Sequence, residues 1–523
     1  MKRARARWRG LQRRATAAAV VAVGALTLSA HVGSPDAVWE GTAGPYAARV
    51  VIRDPGVIPG QAEIVVRTAA HGVRSVGVTA AIWNGGVGAA PPPDAAVRVP
   101  GDSTLWSARL WFMAASAYAV RVTITGDVGA GTAVVPFVAL ASRTLPLSLP
   151  LRVVLVLLGV LLIAGMVTIV ASATRESTVP PDSDVDPARR RTGRVAGAVA
   201  GIVVLGLLWF GNAWWNGAAR AYAASISNGQ GFPVDATITA DKGQRILHIA
   251  ITDSLWMSLH NGRAVGPDEQ NVPPLIPDHG KLMHAFLVSE TGDGFAHLHP
   301  LSVDSAHFNS DLPPLPPGRY RFYADIVHES AWGQTLTTTV TIDSSVAKWQ
   351  PTDNDDAWTV AAATTDTVTD VGDKLRVVWH RGSAALRRGA DAQFNFQVLN
   401  ADGTPARIQL YLGMAGHLVL VRDDGAVYIH LHPMGTASMA AIDAATMRRP
   451  GDSVLGRLGQ RLTATGMISQ ADEATTVPGI LSFPYQFAAA GHYRLWMQFR
   501  SNGVVHTGAF RFDVADSTGA RTK

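Results

Sequence analysis

The 523-residue chain contains no cysteine. That absence excludes disulfides, thiolate metal sites, cysteine-ligated iron–sulfur clusters and covalently attached c-type haem. It also excludes an electron-transfer copper site of the blue type, which needs a Cys ligand. Any metal must be held by His, Met, Asp or Glu. A strong charge is missing as well. The net +5 includes Lys2, Arg3, Arg5, Arg7, Arg9, Arg13 and Arg14, and with these seven set aside the remainder is −2. The basic balance is thus a targeting feature, and no nucleic-acid partner is expected. His-Glu-x-x-His, Gly-x-Ser-x-Gly, a Walker loop and a dinucleotide fingerprint are all absent, so no enzyme is expected, although an open three-histidine site leaves a position for water.

What is present first is an export and membrane pattern. A basic segment through Arg14, an apolar run from Ala17 to Leu28 and small residues at Ser29 and Ala30 read as a signal segment over 1–30. Cleavage after Ala30 makes His31 the first residue, an arrangement that resembles the amine-and-ring chelate of several copper proteins, whereas cleavage a few residues away leaves His31 without that role. Residues 31–147 alternate and turn like an outward β-sandwich domain. Two apolar stretches, 149–173 and 195–215, are long enough to span a bilayer and carry no charge beyond Arg152 near the start of the first. The loop between them, 174–194, holds Arg175, Arg189, Arg190, Arg191 and Arg194, which places it on the cytoplasmic side. Both flanking regions then face outward from a bacterial cytoplasmic membrane. Without an intramembrane ionisable group the pair reads as an anchor in the lipid bilayer.

The outer half repeats. Gly280 to Val288 runs Gly-Lys-Leu-Met-His-Ala-Phe-Leu-Val and is followed at Phe295 by Phe-Ala-His-Leu-His-Pro; Gly413 to Val421 runs Gly-Met-Ala-Gly-His-Leu-Val-Leu-Val and is followed at Val427 by Val-Tyr-Ile-His-Leu-His-Pro. The histidine intervals match, and both copies close on His-Leu-His-Pro. Asp424-Gly425 between apolar runs predicts a hairpin with a two-residue type I′ turn, pairing Arg422 with Val427, Val421 with Tyr428, Val419 with His430 and His417 with His432. Those three histidines then share one face, while Leu418, Leu420, Ile429 and Leu431 face a core. The first copy, turned about Thr291-Gly292, sets His284 opposite His299 with His297 beside them. Each repeat ends on a hairpin opening Gly-x-Tyr-Arg, at Gly318 and Gly491.

Repeat A is placed at 232–345, an acidic linker at 346–371, repeat B at 372–515 and a tail at 516–523. Repeat B carries an insertion, Met434 to Val477, whose methionines serve a soft metal or simply pack. Three imidazoles converging from adjacent strands suit Zn²⁺ or Cu²⁺, and adjacent thioethers favour Cu⁺. The candidate ligands are His284, His297, His299, His417, His430 and His432, with Met414, Met434 and His31.

The paired hairpins and Gly-x-Tyr endings, over Val234 to Val514, resemble bacterial exported proteins with YtkA-like or FixH-like β-sandwich domains, and more broadly cupredoxin-like and copper-resistance carriers with immunoglobulin-like folds. The resemblance implies copper handling at those six histidines. The fold expected is mainly β: three immunoglobulin-like or cupredoxin-like sandwich domains plus two transmembrane helices. The function expected is binding or delivering copper, with zinc second. The alternative is a non-catalytic envelope interaction or scaffolding protein, its histidine faces meeting each other or an envelope protein partner.

Overall fold

The computed structural model describes residues 36–69, 71–85, 90–180, 183–228, 231–241, 243–253, 256, 274–343, 349–449, 452, 454–464 and 475–517. The signal segment and His31 lie outside them. The described chain is mainly β, in several antiparallel sheets, with two long apolar helices, and divides into two units, 1–140 with 230–523, and 141–229.

The smaller unit is built on Leu149–Glu176 and Pro187–Asn228. Both helices are long and apolar enough to cross a membrane, with mean hydropathy 3.1 and 1.9 in their best windows. Leu161, Leu207 and Phe210 point outward, which in water would forgo roughly 1.5–3 kcal/mol for each such side chain. The second helix begins well before 195. It takes in the arginine run, because nothing from Pro187 onward breaks a helix and Pro at the first position favours one. It approaches the first helix through small residues: a Cβ on Gly193 would lie 2.8 Å from the Ala171 carbonyl oxygen, the logic of small residues spaced four apart.

In the larger unit, residues 37–139 form two sheets. One orders Ala37–Ala43, Tyr46–Arg53, Gly60–Arg67, Leu105–Phe112 and Val97–Arg98; the other orders Asp94–Ala95, Val73–Ile82, Ser116–Gly126 and Gly129–Ala139. Alternate residues are buried, and Phe112 joins the sheets with its ring 4.8 Å from Tyr118 and 5.0 Å from Phe137.

The two repeats share a strand plan. In the first, His284–Ser289 pairs with Gly294–Leu298 on one side and Gly318–Val327 on the other; in the second, His417–Arg422 lies between Tyr428–Leu431 and Gly491–Ser501. The predicted registers hold: Phe286 faces His297, Val419 faces His430 and Val421 faces Tyr428. The turns do not. Gly292 donates to the Ser289 carbonyl and Gly425 to the Arg422 carbonyl, and each glycine is left-handed while Asp424 is not. These are four-residue loops in which Gly follows the central pair. Type I′ geometry occurs one step upstream, at His279-Gly280 and Leu412-Gly413, where both central residues have positive φ and Asp278 bonds Lys281, and Tyr411 bonds Met414, in both directions.

The interval 346–371 is not a plain linker. Ala357–Val360 adds an edge strand beside Gly294–Leu298. Among its described residues the insertion carries two helices, Met439–Met447 and Arg457–Ala464, the first capped by Ser438, whose Oγ accepts from Ala441 N–H. Ala440, Ala441, Ala444 and Leu458 pack with Ile276 and Val327 of the first repeat, and Ala119 and Val134 of the first β region join that cluster. The first β region also reaches the segment just past His432. Trp39 bridges Gly435, whose φ is +118°, and a Cβ there would lie 2.0 Å from the Val38 carbonyl oxygen.

The histidine-bearing faces of the two hairpins meet each other. Phe286, Val288, Phe295 and Tyr323 pack on Val419, Val421, Tyr428 and Trp496. Phe295 stacks on Trp496 at 4.8 Å, and Tyr323 on Tyr428 at 4.2 Å. Trp496→Ala is therefore expected to cost about 3–5 kcal/mol, read as a lowered denaturant midpoint; a change below about 1 kcal/mol would mean the joint is not part of the cooperative fold.

Candidate metal centre

Alternation along His284–Ser289 and His417–Arg422 sends one set of side chains into each repeat's own core and the other into the joint. The histidines belong to the second set. His284, His297 and His299 form one trio and His417, His430 and His432 another, with the ligand-capable atoms of each within 4.8 Å of one another. All six are at most 8% exposed. The trios face each other: the His430 ring lies 5.6 Å from those of both His284 and His297.

Within each trio two ring nitrogens nearly touch, His284 Nδ1 to His297 Nε2 at 3.1 Å and His417 Nδ1 to His430 Nε2 at 3.0 Å. Two imidazoles at about 2.0 Å from one tetrahedral ion would stand about 3.3 Å apart. An N–H···N hydrogen bond satisfies the same pair but leaves Nε2 of the third histidine without a partner. His299 Nε2, both nitrogens of His432, His417 Nε2 and His279 Nε2 are buried with no hydrogen-bond partner. Each such atom costs roughly 1–3 kcal/mol unless something binds it.

Four outward nitrogens are anchored. His284 Nε2 meets the Asp278 carbonyl oxygen at 3.2 Å, His297 Nδ1 meets Gln498 Oε1 at 2.9 Å, and His299 Nδ1 meets Asp356 Oδ1 at 3.1 Å. Across the joint, His430 Nδ1 is 3.4 Å from Asp325 Oδ2, which also accepts from the Tyr428 hydroxyl. An anchored outer nitrogen sets the tautomer and leaves the inner lone pair free, the usual support for a ligating histidine. Gln498 and Asp325 hold equivalent places, facing His417 and His284 in the register, so each repeat anchors a histidine of the other.

Electrostatics keeps the imidazoles neutral. Burial, reinforced by neighbouring histidines, holds His297, His299, His417, His430 and His432 well below the usual imidazole range, and burial lowers His284 as well. Burial pushes Asp325 up to about 6 and Asp356 up to about 7. Neutral imidazoles can bind a cation without first losing a proton.

A third group, Asp278, His279 and His432, joins this cluster. His279 stands directly before the first hairpin and is not among the candidate ligands read from the sequence. Asp356, Gln498, Asp325 and Asp278 were missed, although Asp325 and Gln498 stand at the same offset from Gly318 and Gly491, a signal in the repeat itself. Met414 and Met434 sit half-buried in tight turns beside the second trio, whereas Met283 is sealed in the core of the first repeat. Met439 and Met447 belong to the insertion helix.

Residues 368–516 match a family described as a domain of unknown function, DUF8832, an interval that coincides with the second repeat. No curated protein matches the chain. Among solved structures, alpha-2-macroglobulin from E. coli is 9% identical, with TM-score 0.18, over 92% of this chain and 22% of that one. Surface layer protein SbsC, domains 1–6, is 7% identical, with TM-score 0.13, over 88% and 53%. Dimeric latent PorU from Porphyromonas gingivalis is 6% identical, with TM-score 0.14, over 92% and 34%. The chain spans from about a fifth to about half of these proteins, and TM-scores this low establish no shared fold.

Proposed function

We propose that this is a membrane-anchored protein of the bacterial cell envelope that binds or delivers a transition metal, copper before zinc, through its paired three-histidine hairpins. The observation that carries the reading is the orientation of the imidazoles: outer nitrogens held by Asp356, Gln498, Asp325 and a backbone carbonyl, inner nitrogens gathered and partly unpartnered. Imidazole-only sets suit Cu²⁺ and Zn²⁺, and Cu²⁺ stands higher in the affinity order. In this reading the three β regions are immunoglobulin-like or cupredoxin-like sandwiches on the extracytoplasmic side. The short arginine-bearing connection between the helices lies inside. The likeness to YtkA-like and FixH-like domains rests on the hairpins and the Gly-x-Tyr endings.

The scaffolding alternative has its own support, since the histidine faces do form the contact between the repeats through Trp496, Tyr428 and Phe286. The two readings differ in what the histidines do there. Because the first β region and the insertion helices pack onto the repeats, the test uses the full chain in detergent. Equilibrium dialysis against Cu²⁺, Cu⁺ and Zn²⁺ should show stoichiometric binding, lost when His284, His297, His299, His417, His430 and His432 are all alanine. Failure of the folded wild-type protein to bind any of the three leaves the scaffolding function as the better account.

A further inference from the structure

The two ends of the histidine cluster are built differently. In the first trio, His299 has one nitrogen committed, its Nδ1 lying 3.1 Å from Asp356 Oδ1, so only Nε2 faces inward. Its counterpart His432 has neither nitrogen committed: Nδ1 and Nε2 are both buried and unpartnered, in a residue only 2% exposed. His432 belongs to two ligand groups at once, one with His417 and His430, the other with Asp278 and His279. Its ring centroid is 5.0 Å from His417, 4.6 Å from His430 and 5.4 Å from His279.

The turns preceding the hairpins account for the difference. Asp278-His279-Gly280-Lys281 and Tyr411-Leu412-Gly413-Met414 are the same type I′ turn in the two repeats. The first offers a carboxylate and an imidazole to the far repeat's hairpin, while the second offers a phenol and a leucine. Asp278 is set in place by the insertion helix, whose Ala440 N–H donates to Oδ1 at 2.8 Å. Asp278 Oδ1 and His279 Nε2 stand 3.8 Å apart, too far for a hydrogen bond and close enough for two ligands of one ion.

From this we infer that His432 bridges two metal ions, one held also by His417 and His430 and the other by Asp278 and His279, making this end of the cluster binuclear while the His284, His297 and His299 end holds one ion. The inference rests on the proposed metal-binding function. A neutral imidazole binds the first ion through one nitrogen and keeps N–H on the other. The second ion replaces that hydrogen, and one proton leaves to solvent. With metal–nitrogen bonds of about 2.0 Å, the two ions lie about 6 Å apart, close enough for two Cu²⁺ spins to couple through the ring.

The experiment counts copper and spins in full-length protein loaded with Cu²⁺ in detergent. Three copper ions per chain are expected, of which only one contributes to the integrated paramagnetic resonance signal at low temperature. Asp278→Asn with His279→Asn should retain two copper ions, both visible; asparagine keeps the Ala440 hydrogen bond and tolerates the left-handed backbone at 279. The variant then holds less copper but gives twice the signal. His432→Ala should retain one ion. Two copper ions in wild type, unchanged in the double variant, or three that are all visible, would overturn the bridge while leaving metal binding intact. No copper in the folded wild type would instead remove the metal-binding function on which the bridge depends.

Discussion

Metal-free full-length protein is expected to lose stability on acidification, with a fall in unfolding temperature on the order of 10 °C between about pH 7.5 and about pH 5. Six buried histidines of the joint have folded pKa values below their unfolded value of 6.5. Between the folded and unfolded values the unfolded chain binds more protons, so the stability these groups contribute is complete above about pH 6.5 and is lost as the pH falls below it. Two neighbours pull the other way. Asp325 and Asp356 are raised to about 6 and about 7, so below those values they favour the folded state as the pH falls towards 3.8. Asp278, lowered despite a burial penalty because His279, His432 and His284 lie beside it, matters only below 3.8. Six groups against two leave a net loss on acidification. Trp496, fully buried in the joint, supplies a fluorescence readout. A midpoint that stays level or rises from about pH 7.5 to about pH 5 would contradict the buried, neutral histidine joint.

Metal loading should raise the stability of the native state. An ion present at about a thousand times its dissociation constant stabilises the native state by about 4 kcal/mol, provided the unfolded chain does not bind it. It also excludes protons from the lone pairs it occupies, so the native state binds fewer of them and the loss on acidification steepens in parallel. Structural four-ligand sites contribute about 10–16 kcal/mol in total, or about 3 kcal/mol for each ligand. His297→Ala with His430→Ala removes one ligand from each trio and should weaken each site by roughly two decades. At the same metal concentration the thermal shift should then fall to about 1–2 kcal/mol. Copper and zinc titrations followed by thermal unfolding make the comparison, and an equal shift in the variant would place the ions elsewhere.

The hairpins were legible because three signals agree: period-two alternation, the repeated histidine interval, and a glycine at each tip. Register followed from the centre of the loop, and it holds even though the loops are four-residue turns with Gly292 and Gly425 left-handed at the end. The type I′ turns were not legible. Leu412 at φ 52° and His279 at φ 52° are poor choices for that backbone, and only the packed hairpins that flank them set it. Asp353 to Asp356 read as a solvated linker because the sequence does not place Lys281, Arg500 and His299 beside them. In the fold Lys281 pairs with Asp353 and Asp355, Arg500 with Asp355, and Asp356 accepts from His299. The unbroken apolar run Ala285 to Val288 did carry a hint, since a strand apolar on both faces is covered on both, and the strand is buried throughout.

The sequence by itself determined the local chemistry: no thiol, two apolar helices, and two hairpins that each set three histidines on one face. These follow from composition and from interactions between residues near in the chain. Only the tertiary structure decided that the two faces meet. That contact joins residues more than a hundred positions apart, through Phe295 and Trp496, Tyr323 and Tyr428, and the exchange of Gln498 and Asp325 between repeats. It turns two half-covered surfaces into one buried cluster. Burial then makes the imidazoles neutral and leaves His432 with two open nitrogens, because desolvation is a property of the assembled joint and not of any segment within it.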